Sequence, residues 1–341
     1  MKRIALCAAL AALLLPGTAL AWGGTGHTMV NAIGAAALPA DVPIFVRGTD
    51  GIAEIATLGP EMDRLKGAGT SWDADNDNGH FLDIGDDDKV GGIITLDALP
   101  ESFVAYDAAL RKVGMDPFKE GFLPYTILDG WQQVRKDFAY YRVDAYLTDH
   151  AKSDADKAFF ARDMELRMAL TIRDIGVWGH FIGDASQPLH ITVHFNGWGD
   201  YPNPKNYTTR HIHSFFEGAY VRDHAKASDV TALLTPYVAA DPQTLISNAD
   251  MLKRIGAYLA SSNARVIPVY DLFRTGDFDR GSPRATALVD RCLAAGASEY
   301  RDLIALAWED SINETVSYPE IAVKDIVSGK VTIAPQALTA Q

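Results

Sequence analysis

Residues 155–186 read ADKAFFARDMELRMALTIRDIGVWGHFIGDAS, a long proline-free run whose apolar residues recur at helical spacing. It stops at Gln187-Pro188, where proline lacks the amide hydrogen that a helix interior needs. Working outward, 125–151, much of 244–266 and 284–316 show the same periodicity. Few segments alternate as strands do. Stretches 67–79, 86–92 and 196–209 are rich in Gly, Asp and Asn and read as loops. No repeat or linker divides the chain, so one all-helical domain over residues 22–341 is the economical reading. The proline-punctuated tail beyond Ser317 is expected to be loosely held.

Composition narrows the class. With 48% hydrophobic and 22% charged residues over 341 positions, the chain has enough apolar surface for a core and is neither disordered nor of low complexity. Met1-Lys2-Arg3, the apolar run from Ile4 to Leu15 and Ala19-Leu20-Ala21 have the layout of a secretory signal peptide over residues 1–21. That run breaks at Pro16-Gly17, too short to span a bilayer. Cleavage between Ala21 and Trp22 predicts a secreted or periplasmic protein without a membrane anchor. A formal charge of −13 disfavours nonspecific adhesion to duplex DNA or anionic membranes. Of the 2 cysteines only Cys292 outlasts cleavage, so no internal disulfide forms and the fold relies on its core or on metal. The acidic stretch from Asp73 to Gly79 departs from a calcium loop, because its glycine falls one place late and Ile84 stands where such a loop needs Glu. It reads as a solvated turn.

The histidines carry the chemistry. His180 and Asp184 lie four apart and project from one helix face; His213 and Glu217 repeat that spacing, with His190 between the pairs. A solvated ion pair is the ordinary explanation of such spacing. Val177, Trp178, Phe181 and Ile182 make the surroundings of His180 apolar, however, and there a bound cation would relieve buried charge. Imidazole with carboxylate suits zinc. The mature start, Trp22-Gly23-Gly24-Thr25-Gly26-His27, adds an α-amine that titrates near about 8. Its glycines let the Trp22 amine, the Trp22 carbonyl and His27 converge on one ion.

In order, Trp-Gly-x-x-Gly-His at the mature start, His80-Phe81-Leu82-Asp83, the motif from Gly179 through His180 and Asp184 to His190, and His213-Ser214-x-x-Glu217 resemble the zinc-dependent single-strand nucleases. The bacterial zinc-dependent phospholipase C is their sister family. The motifs run from Trp22 to Glu217. The resemblance implies a mostly helical fold holding three zinc ions in a cleft. One would take Asp63, His80, His180 and Asp184; the second the Trp22 amine and carbonyl, His27 and Asp184; the third His190, His213 and Glu217. Asp63 is chosen because it lies ahead of His80. The family usually places its Asp three residues before an Arg, a spacing that here falls on Glu61 and Arg64, so Glu61 is the rival. Arg64 is a candidate phosphate contact.

By the same likeness, a water shared by two zinc ions loses its proton and attacks phosphorus in line, while the third zinc stabilises the leaving oxygen. The expected substrate is single-stranded DNA or RNA, cut to 5′-phosphate products, with Phe81 and Asp83 holding a base by stacking and hydrogen bonding. No stable protein partner is implied. Phospholipase C activity is the alternative: Glu217 stands where the nucleases usually have Asp. The spacing of Trp22 and His27 matches the nucleases and favours that reading. His150, His194, His211 and His224 receive no role, and no functional residue is expected beyond Lys226.

Overall fold

The run that opens the sequence reading folds as one helix, Asp154–Ser186, capped by Ser153, whose hydroxyl accepts the Asp156 amide at 3.1 Å. This computed structural model describes residues 22–67 and 69–339; the expected signal peptide, residues 1–21, lies outside them. Helix Leu123–His150, with Pro124 in its first turn, runs alongside Asp154–Ser186 and makes the most extensive packing in the fold. Gly23–Ala36, Thr49–Leu58 and Pro283–Asp310 pack against the same central helix. The described residues are mostly helical, and their only strands are Thr315–Val316 and Ile321–Ala322, paired antiparallel. The all-α expectation therefore holds. No described helix is long and apolar enough to cross a membrane.

Burial changes along the central helix. Leu166 and Leu170 in its first half are exposed, whereas every residue from Trp178 to Ser186 is buried. That end runs through the middle of the molecule because its glycines admit neighbours. At Gly179 an added Cβ would collide with the Asn31 carboxamide. Asn31 is itself fully buried, and its Nδ2 donates to the Ile55 carbonyl at 2.9 Å and the Gly176 carbonyl at 2.8 Å. One amide thus ties three helices together just beside His180.

Several boundaries differ from the sequence reading. The 67–79 stretch is not a loop: Thr70–Asn76 is α-helical and Asp77–His80 continues as a 3-10 turn. Asn76 and Asn78 donate back to the carbonyls of Trp72 and Ala74, so residues that usually favour turns here reinforce a helix. The 244–266 segment becomes Asn248–Asn263 followed by a separate helix, Val266–Arg274. Pro268 explains the break, since its ring would clash with the Ala264 carbonyl in a continuous helix. The 284–316 segment ends early: Pro283–Asp310 gives way to a 3-10 turn and the first short strand. Asp310 and Glu314 are held there by Arg135, at 3.0 and 2.8 Å.

The tail is not loose. Val323, Ile326 and Ile333 are buried in a core cluster with Val143, Leu147 and Phe160. Chain past Ser317 therefore covers one end of the long helix pair.

Candidate metal centre

The buried end of the central helix supplies the first two donors. His180 and Asp184, one turn apart, are both fully buried. Gly183 sits between them, and its missing side chain leaves room for His27, whose Nδ1 would lie 3.0 Å from a Cβ there. His27, fully buried on Gly23–Ala36, stacks on His180 with ring centroids 3.7 Å apart. The short helix Glu61–Leu65 brings in Asp63, and the 3-10 turn ending at His80 brings in that imidazole.

Around Asp184 the donors crowd. His80 Nδ1 lies 2.9 Å from Oδ2, His180 Nε2 3.4 Å from Oδ2 and His27 Nε2 3.4 Å from Oδ1. Asp63 stands 3.6 Å from His180 Nε2 and 3.8 Å from His27 Nε2. Next to them, His190 and His213 approach Glu217 Oε2 at 3.5 and 2.7 Å. Three buried groups capable of holding a cation result: His27, His180 and Asp184; Asp63, His80 and His180; His190, His213 and Glu217. All eight side chains expected as ligands are therefore brought together. Glu61 is not among them; it pairs with Arg64 at 3.0 Å on the surface. His213 rather than His211 faces inward. It starts the expected helix, which widens into a π-helical turn at Phe215–Ala219.

Hydrogen bonding fixes how these imidazoles point. The Nδ1–H groups of His180, His190 and His213 donate to the carbonyls of Gly59, His80 and Phe195 at 2.8, 2.7 and 2.9 Å. A carbonyl only accepts, so each Nε2 is left carrying a lone pair when the ring is neutral. His190 Nε2 and His213 Nε2 nevertheless face each other at 3.1 Å. Two lone pairs at that distance need a proton or a metal cation between them. His27 Nδ1 and Nε2, Asp63 Oδ2, Asp184 Oδ1 and Glu217 Oε1 are buried without a hydrogen-bond partner, which is the state expected of atoms reserved for a cation. The residues fit a bound metal.

Electrostatics agree. Burial lowers the His80 and His180 pKa values and keeps both rings neutral, ready to ligate. Burial works to raise Asp184, but His180, His190 and its hydrogen-bonded imidazoles hold it well below the usual carboxylate range. Glu217 is lowered likewise: burial opposes ionisation, and His213 and His190 prevail. For His190 burial is outweighed by Asp184 and Glu217, which raise it. Asp184 and Glu217 thus stay ionised beside the His80 and His180 rings, which burial keeps neutral.

The cationic side chain beside the cluster is Lys66, to which the motifs assign no role, and not the expected Arg64. Arg64 does not enter the site; its side chain is 69% exposed, because it sits off the inward face of its short helix. Lys66, three residues after Asp63, shares Asp63's face and brings Nζ to 2.8 Å from Oδ1, with 13% of its side chain exposed. Burial would lower its pKa, but Asp63 and Asp184 raise it, so it is charged. The sequence offered no signal for this, since a lysine near an aspartate usually marks a solvated pair. Gln187 was also missed as a contributor: its Nε2 donates to Glu217 Oε2 at 2.9 Å and its Oε1 accepts the Leu189 amide.

A cleft of about 540 Å³ opens on the cluster, lined by Lys66, Phe81, Asp83, Phe118, His190 and Phe195 among others. Phe81 and Asp83 therefore both line the cleft that opens on the cluster. Burial, with Glu120 adding to it, pushes Asp83 up to about 8, against the pull of His190. At neutral pH its carboxyl is largely protonated and presents both a donor and an acceptor. Trp22 opens the first helix, fully buried, with Nε1 donating to Ser186 Oγ at 2.8 Å. Of the unassigned histidines, His194 is buried between the Asp86 carboxylate and the Trp198 carbonyl, each 2.9 Å away. His150 stacks on Tyr146 and His224 lies over Tyr220.

Comparison with protein-family models, curated proteins and solved structures finds no match to the chain.

Proposed function

We propose that this protein is an exported zinc-dependent phosphodiesterase that hydrolyses single-stranded DNA or RNA to 5′-phosphate products. The observation that carries the reading is the pair of Nε2 atoms that His190 and His213 turn toward each other, beside two further buried donor groups that share His180. Nitrogen and carboxylate oxygen donors without thiolate suit zinc. Zinc held by Trp22, His27, Asp63, His80, His180, Asp184, His190, His213 and Glu217 would supply Lewis-acid charge toward a phosphodiester and make a nearby water more acidic.

The remaining work falls to the chain's own residues. Lys66 Nζ, at the cleft edge, attracts the phosphodiester and opposes charge that develops on its oxygens. Phe81 offers a ring face for a base, and the largely protonated Asp83 reads a base edge by donating and accepting. Gln187 holds the Glu217 carboxylate in place through its 2.9 Å hydrogen bond.

Metal analysis of purified protein together with turnover on single-stranded DNA, RNA and a short-chain lecithin tests the proposal. Bound zinc, cleavage of a single-stranded polymer and loss of activity with chelator are expected. Protein that binds no zinc would refute the site. Hydrolysis of lecithin without nucleic acid cleavage would move the assignment to a phospholipase C.

A further inference from the structure

Phe195 is the most exposed apolar side chain lining the cleft, half open to solvent, while Phe81 and Phe118 are partly covered and Leu189 is buried. Its neighbours are fixed. His194 is clamped by Asp86 and the Trp198 carbonyl, and its own carbonyl accepts the Tyr270 hydroxyl. The Phe195 carbonyl accepts His213 Nδ1–H, and Asn196 Oδ1 accepts the His213 amide at 3.2 Å. Gly197, at φ 97, packs so closely on the backbone of Thr209 and Arg210 that a side chain there would clash. The backbone on both sides is thus pinned to a candidate metal ligand, yet the ring between is left facing an open cleft. Its centroid lies 6.4 Å from that of His213, beside the His190–His213–Glu217 group. Phe81 instead follows His80, a member of a different group.

A rigidly mounted, exposed ring at a cleft wall is what stacking on a planar ligand requires. We infer that Phe195 is a second stacking platform, so that the site takes a substrate with a base on each side of the scissile phosphate, one on Phe81 and one on Phe195. The inference rests on the nuclease reading. It names the minimal substrate class as a dinucleotide unit within a single strand.

Binding separates this claim from the reading beneath it. The probes are a phosphorodithioate-linked thymidine dinucleotide, which resists hydrolysis, and thymidine 5′-phosphate, each titrated into zinc-loaded wild type, Phe195→Ala and Phe195→Trp. Loss of one base stack weakens affinity by roughly 5- to 150-fold. The expected result is a loss of that size for the dinucleotide in Phe195→Ala, a smaller loss for the mononucleotide, unchanged zinc content and recovery in Phe195→Trp. Equal dinucleotide affinity in wild type and Phe195→Ala overturns the inference and leaves the nuclease reading standing. So does an equal loss for both probes, a loss that Trp fails to recover, or a loss of zinc. Wild type that holds zinc but binds neither probe overturns both.

Discussion

His190 and His213 present their Nε2 atoms to each other across 3.1 Å, each with its Nδ1–H already committed to a backbone carbonyl. Two such nitrogens are reconciled by a proton on one ring or by a cation bound to both. A cation held there stabilises the folded state, because the unfolded chain has no such arrangement of donors. Chelator treatment is therefore expected to lower the melting temperature as well as abolish turnover. The stabilisation amounts to about 2.7 kcal/mol where free zinc stands at 100 times its Kd. His213→Ala should lower bound zinc by about one ion per chain. Thermal melts and elemental analysis read both effects, and identical melts with and without chelator would argue against a metal centre.

Lys66 and Arg64 provide a paired test of the cleft. Lys66→Met removes a charge that lines the cleft, and on the proposed function kcat/KM should fall by about 100-fold. Arg64→Ala removes half of an exposed ion pair and should stay within about twofold of wild type. Steady-state kinetics on one single-stranded substrate compares them. The reverse pattern would return the phosphate contact to Arg64.

That contrast shows what a sequence can and cannot disclose here. The pairs His180–Asp184 and His213–Glu217 were legible because a helix of either pitch keeps residues four apart near one face. The choice between Asp63 and Glu61 was not, because a five-residue helix has no periodicity long enough to reveal which face turns inward. Lys66 stayed hidden for the same reason. The helix Thr70–Asn76 escaped because Asp and Asn ordinarily compete with helical hydrogen bonds, and here two asparagines reinforce them. The tail's burial depends on a groove offered by Val143, Leu147 and Phe160, which no local pattern around Val323 and Ile326 records.

The proposed role of Trp22 makes its amine a metal ligand only if the chain starts there. Protein that begins at Trp22 is expected to turn over substrate far faster than protein with one residue added before it, since acylation removes the amine's lone pair. Both forms should melt cooperatively, because the buried Trp22 indole and its bond to Ser186 do not depend on the amine. Equal turnover would remove the amine from the ligand set.

Asn31 and Gly179 meet too closely for a side chain to intervene. Gly179→Ala should cost about 1–3 kcal/mol by overpacking a fully buried contact. The strain falls beside His180, so bound zinc should weaken along with stability. Denaturant unfolding and metal titration of the one variant measure both. A stable Gly179→Ala protein with unaltered zinc affinity would show that the helices can part without disturbing the site.

Asp144 lies between the two long helices, fully buried, with its carboxyl set against that of Asp163. Burial pushes its pKa up to about 8, helped by Asp163 and opposed by Arg167. The folded protein therefore keeps this proton while the unfolded chain, with an ordinary value of about 4, gives it up. Between those values the folded state binds more protons, so stability falls as pH rises and levels off above about 8. Asp137 nearby, raised by burial and by Asp174 to about 7, adds a slope of the same sign. Asp144→Asn keeps the shape of the side chain and removes its charge. It should melt several degrees above wild type at alkaline pH and differ least near pH 5, leaving the slope that Asp137 and the other raised carboxyls, Asp83 among them, contribute. Melting curves across that range decide the matter: a variant whose stability runs parallel to wild type at every pH would mean that Asp144 is ionised in the fold.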